Sequence, residues 1–162
     1  IALYPDTDSA IEDISNEAIV SDEDQGAVRM ILDNLRVSNS IKTKIQDEFQ
    51  NILNVLKFDE KGHDIFRTWY VDGRIYYHIL VDEKNPKAGI VELRQIDPRK
   101  IRKIKNVVRE KNASGVEIVK SVEEYYLYND KGITEVSTQG VKLPLDSVIY
   151  VPSGWIDQKS VV

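Results

Sequence analysis

The hydrophobic repeat of this chain changes at Asp72 and Gly73, and the change limits what can be built on either side. Before it, apolar residues return every three or four positions; after it, they alternate. A period near 3.6 buries one stripe of a helix, and a period of 2 buries one face of a strand. Helices first and short strands afterwards predict an α+β fold, with N-terminal amphipathic helices packed on a mostly antiparallel, meandering β-sheet. The helical part, which includes one strand, is expected over 1–72 and the antiparallel β part over 73–162, the two forming one domain. With 162 residues, such a chain can hide roughly 70% of its unfolded surface.

After Pro5 and Asp6, the residues Ile11, Ile14, Ala18 and Ile19 predict a short helix whose acids lie where the helix dipole favours them. The stretch 28–35 fits both periods. Val28, Met30 and Leu32 alternate, while Val28, Ile31, Leu32 and Leu35 share a helical face; the strand is the expectation, because the polar Asn34 interrupts the run. From Ser38 or Ser40 as cap, Ile41, Ile45, Phe49, Ile52, Leu53 and Leu56 mark one face of a helix ending at Lys57, expected to pack on the sheet. Lys61 and Gly62 punctuate, leaving 64–70 for one or two more helical turns. Strands are then expected at 74–81 and 90–96 as a hairpin, at 101–110 after Asp97 and Pro98, and at 116–128 after a turn at 112–115. Two short ones follow at 133–136 and 147–151.

The inventory for catalysis is thin. The absence of Cys removes disulfide scaffolds, thiolate metal sites and cysteine nucleophiles. His63 beside a turn and His78 in mid-strand lack metal-ligand spacing, and no G-x-S-x-G elbow or glycine-rich phosphate loop occurs. Asp6, Asp8 and Glu17 fall at the first, third and twelfth places of a calcium-loop template, but Ala10 stands where an oxygen ligand belongs and Ile11 where the turn needs Gly. Trp69, Tyr70, Tyr76, Tyr77, Tyr125, Tyr126 and Tyr128 read as core and cross-strand contacts before base-stacking platforms. The expectation is no enzyme, no cofactor and no metal. A generic adaptor or scaffold domain, and a hydrolase with carboxylates brought together only by folding, remain the alternatives. The apolar runs are too short to span a bilayer, and no secretory signal is legible.

The net charge of −5 argues against a dedicated nucleic-acid binder, yet it averages over strong segregation. Residues 1–26 hold eight acids and no Lys or Arg; residues 97–111 hold seven bases against Asp97 and Glu110. Within the basic run, Arg99, Lys100, Arg102, Lys103 and Lys105 fit three readings. They could form a solvated edge strand whose lysines discourage pairing, dock an acidic neighbour such as the first helix of another copy, or contact DNA phosphates.

Several long segments, in order, carry a resemblance: SAIEDISNEAIVSDE at 9–23, SIKTKIQDEFQNIL at 40–53, FRTWYVDGRIYYHILVD at 66–82, GIVELRQIDPRKIRKI at 89–104, VEEYYLYN at 122–129 and LPLDSVIYVPSG at 143–154. Together they resemble the portal, or head–tail connector, proteins of T-even-type tailed bacteriophages. The resemblance implies a structural subunit of a dodecameric ring at one capsid vertex, through which a separate terminase pumps double-stranded DNA that later leaves by the tail. It implies as partners other portal subunits, the major capsid protein and the passing DNA. The terminase large subunit and neck or tail proteins would be met through regions outside this chain. The implied location is the virion, with the host cytoplasm during assembly. Channel-lining helices and a clip region are not represented, so the segment resembles the outer wing, which makes ring and capsid contacts.

Overall fold

The computed structural model describes residues 4–20, 26–111, 117–134 and 139–154. Helices α1 (Pro5–Ala18), α2 (Asn39–Leu56) and α3 (Phe58–Asp72) precede strands β1 (Arg74–Val81), β2 (Ile90–Ile96), β3 (Ile101–Lys111), β4 (Glu117–Tyr128), β5 (Val141–Leu143) and β6 (Val148–Pro152). The class is α+β, as the change of period predicts. Two compact units divide the chain: unit 1 comprises Ile1–Arg74, Val81–Leu93 and Pro152–Val162, and unit 2 comprises Ile75–Leu80 and Arg94–Val151. Among the described residues, no helix is long and apolar enough to cross a membrane.

In unit 1, α1 opens on Pro5, whose missing N–H costs nothing at a helix start, with Asp6 and Asp8 in the first turn. Its inner face buries Ile11 and Ser15, and the Ser15 hydroxyl donates to the Ile11 carbonyl at 2.8 Å, so that hydroxyl is not stranded. Against this face lies α3, where Arg67 pairs with Asp8 and, at 3.7 Å, with Glu12. Ser38 does precede α2, but its side chain makes no capping bond; its carbonyl accepts from Ile41 and Lys42.

Three expectations for this unit need correction. Stretch 28–35 is not a strand: it runs irregularly into a turn closed by Leu35 N–H on the Leu32 carbonyl. A strand needs a neighbour to satisfy its backbone groups, and alternation in sequence cannot supply one. The helix after α2 is not one or two turns at 64–70 but all of α3, Phe58–Asp72. It begins immediately after Lys57, whose left-handed backbone (φ 51°) ends α2 and starts α3. Gly62 does not break α3; it is buried, and a Cβ there would lie 3.0 Å from the Phe58 ring. The third correction concerns the α2 stripe, which is not buried on a sheet. No residue of α2 is buried, and Ile41 and Ile52 are each 47% exposed. Ile41, Ile45, Phe49 and Ile52 instead line a shallow apolar groove with Met30, and Ile52 and Val55 lie beside Ile90 and Leu93 at the start of β2.

Two three-stranded antiparallel sheets, in the orders β2-β1-β6 and β3-β4-β5, carry the rest. β1 and β2 have the expected bounds and are neighbours, as a hairpin requires. Both faces of β1 are covered, since the consecutive Ile75, Tyr76 and Tyr77 are all buried. Tyr76, Ile96, Ile101, Tyr126 and Val148 form the unit 2 core, with Tyr128 and Leu143 packed against it. Tyr76 anchors an aromatic row, stacked on Tyr150 at 5.0 Å and edge-on to Tyr126 at 6.0 Å. The turn before β3 forms as its residues predict: Asp97 accepts from Arg99 N–H at 2.9 Å, and its carbonyl from Lys100 N–H at 2.8 Å. The turn expected at 112–115 lies outside the described residues. The strand expected at 133–136 is not found at Ile133 and Thr134, its other half lying outside the described residues; Ile133 N–H instead bonds the Arg99 carbonyl, and the short strand here is β5. β6 agrees with the expected 147–151 to within a residue.

Candidate assembly interface

Among the described residues β3 is an edge strand, with β4 as its one strand neighbour. Its root is fixed by Ile101, 4% exposed in the core, opposite Tyr128. From that anchor the two-residue repeat sends Lys103 and Lys105 to the face of Ile101, and Arg102 to the other.

Most of the five predicted cations meet carboxylates of their own chain. Lys105 lies directly across from Glu124, and Lys103 diagonally; their ammonium groups reach the Glu124 carboxylate at 3.3 and 2.8 Å. Lys100 reaches Asp130 at 2.9 Å, where the Tyr128 hydroxyl also approaches at 3.3 Å. Arg99 grips Asp97 through Nε at 3.0 Å and Nη2 at 2.7 Å. Arg102 is exposed and has no ion pair among the described residues. These bonds hold Glu124 below the usual carboxylate range, chiefly through Lys103 and then Lys105, and Asp130 likewise through Lys100. The Arg99 side chain lowers Asp97, and the same partners raise Lys100 and Lys103. Five cations therefore face three carboxylates, which leaves a mildly positive edge. Exposed pairs of this kind contribute little to stability, so they orient side chains without closing the surface to a partner.

The other candidates are not drawn into a catalytic group. His63 Nε2 stands 3.4 Å from Glu12, an ion-pair distance on the α1–α3 contact and not a close hydrogen bond. His78 borders a hollow of about 440 Å3 that also touches Arg94, Lys100 and Tyr128, with no hydroxyl or thiol nucleophile of Ser, Thr or Cys in its lining. Asp6, Asp8 and Glu17 lie along α1, and no cluster of three or more His, Asp or Glu placed to hold a metal exists among the described residues. Trp69 and Tyr70 pack against Phe66 within α3. Reading residues in order misses the outer part of the β3–β4 ribbon, where Val107, Val108, Ile118, Val119 and Val122 are 39–57% exposed. Only the β-branched runs at 107–108 and 118–119 signal it, and they read equally well as covered strand.

A family model described as Bacteriophage T4-like portal protein matches residues 1–162. The chain belongs to the T4-like portal protein family. The portal protein of Vibrio phage KVP40 is 35% identical over 162 residues, covering 95% of this chain and 31% of the relative. That of Salmonella phage ViI is 30% identical over 168 residues, covering 95% and 30%. This portal-family chain thus spans about a third of the length of the curated relatives it matches.

Proposed function

We propose that this chain is a wing-like segment of a phage portal subunit, a structural part of a dodecameric ring at the capsid vertex. Double-stranded DNA enters through such a ring, driven by a separate terminase, and later leaves into the tail. The observation that carries the reading is the family match along the whole chain. In this reading the segment works by ring and major-capsid-protein contacts, in the virion and during assembly in the host cytoplasm. Terminase large subunit and neck or tail proteins meet other regions of the subunit. In this reading it catalyses no reaction and needs no cofactor.

Arg99, Lys100, Arg102, Lys103 and Lys105 serve subunit contact in preference to DNA. Binding to duplex DNA rests on clustered, uncompensated cations, each phosphate contact adding to the salt dependence, and three carboxylates already offset this edge. The test reverses Arg102, Lys103 and Lys105 to Glu in the full-length protein and follows ring yield and duplex affinity together. Because that leaves Glu124 among like charges, a second variant adds Glu124→Lys to restore cross-strand pairing. Loss of rings in both variants, with duplex affinity unchanged, supports the contact role. Intact rings with lost duplex affinity would sink it.

A further inference from the structure

The β3–β4 ribbon outruns the sheet that roots it. β5 pairs only with Tyr126, Leu127 and Tyr128 of β4, so from Lys105 outward the described ribbon is two strands wide. At about 3.4 Å per residue the whole of β3 is on the order of 35 Å long. The outer part carries the side chains of a covered strand: Val107 and Val122 face each other across the ladder, 39% and 51% exposed. A two-stranded ribbon is marginal in water by itself, and uncovered apolar ladders are sites of association.

Resting on the portal reading, we propose that the Val107/Val122 face of this arm docks on the outer face of α1 in a second copy of the chain, head to tail. Charge selects that occupant. The Val107/Val122 face also holds Lys103 and Lys105, two ammonium groups sharing the single Glu124 carboxylate. Unit 2 carries eleven Lys and Arg against eight Asp and Glu, a formal +3, which leaves −8 on unit 1 within the chain's −5. On α1, Asp8 and Glu12 turn inward to Arg67, whereas Asp6, Asp13 and Glu17 fall on one helical face away from buried Ile11 and Ser15. Ile14, next to that face, is 39% exposed and offers an apolar complement, with Tyr4, 71% exposed, at the start of the helix. Arm against arm would oppose like charges; arm against α1 opposes unlike ones, and a heterologous contact of this kind, repeated with a rotation that closes, builds a ring.

The chain has no Cys, and any cysteine elsewhere in the full-length subunit is first replaced by Ser, so that the introduced thiols are unique. Val107→Cys and Asp13→Cys are made separately in differently tagged full-length protein, mixed, assembled and treated with a short bis-maleimide, and the same samples are imaged. Val122→Cys, directly across the ladder, replaces Val107→Cys as an independent second arm position. The expected result is a mixed adduct in ring-containing samples from either arm position, absent from each variant alone. Rings without a mixed adduct overturn this proposal and leave the portal reading standing, the arm then facing another protein. Adducts from Val107→Cys alone also overturn it, since they mean arm-to-arm contact. Failure of the unmutated protein to form rings removes the portal reading and this contact with it.

Discussion

Truncating Tyr126 to Ala removes a ring that is 6% exposed from the core of unit 2, edge-on to Tyr76 at 6.0 Å. A buried aromatic side chain takes about 150–250 Å2 out of water, and at about 25 cal/mol per Å2 this amounts to about 4–6 kcal/mol as an upper bound. The expected loss is about 3–5 kcal/mol, the usual range for truncating a core aromatic. Replacing Tyr126 by Leu keeps most of the apolar volume and loses the ring pairing, so the loss should shrink to about 1–2 kcal/mol. Phe49 supplies the contrast. It sits half-buried on a helix with no buried residue, beside an open groove, and Phe49→Ala should cost only about 1–2 kcal/mol. Urea unfolding followed by far-UV circular dichroism measures all three. If Phe49→Ala costs as much as Tyr126→Ala, the α2 stripe is covered and the placement of the core is wrong. A loss below about 1 kcal/mol for Tyr126→Ala would also refute it.

Lys57→Gly should raise stability by up to about 1 kcal/mol in the same assay, because the left-handed junction (φ 51°) strains a side-chain-bearing residue; a clear loss would mean the lysine side chain contributes more than the strain costs. Gly140→Ala should cost about 1–3 kcal/mol and loosen β5, since its Cβ would come 2.4 Å from the Tyr128 carbonyl oxygen; an unchanged midpoint would contradict that approach. The lowered carboxyls of Glu124 and Asp130 set an acid limb. Their pairs stabilise the fold fully above the ordinary values of 4.5 and 3.8, and that contribution is lost as pH falls through the lower folded values. A combined Glu124→Gln and Asp130→Asn variant should show a flatter fall of thermal midpoint in acid, and an unchanged slope would show that the pairs are idle.

The β1 and β2 bounds were legible because unbroken alternation is flanked by residues that can only turn: Asp72 and Gly73, Asn85 and Pro86, Asp97 and Pro98. α3 was under-read because the α2–α3 reversal uses a lysine in a glycine-like conformation, and because Gly62 admits the Phe58 ring where a helix break was expected. Stretch 28–35 has a strand's pattern without a strand's neighbour, and pairing is not written in local sequence. β5 is three residues long, below the length at which alternation means anything. For the interface, the run of cations from Arg99 to Lys105 stood out by composition alone. Glu124 and Asp130, which offset it, are brought in by the β3–β4 register and the turn after β4. The uncovered valines were hidden for a further reason: covered and uncovered strands share one sequence pattern, and only the reach of β5 separates them.

The central claim, that the chain is a segment of a portal ring subunit, is tested most directly by single-particle electron microscopy of the full-length protein. The account predicts closed rings with a central hole. A preparation that stays as folded monomers or dimers, with no ring in any view, would contradict it.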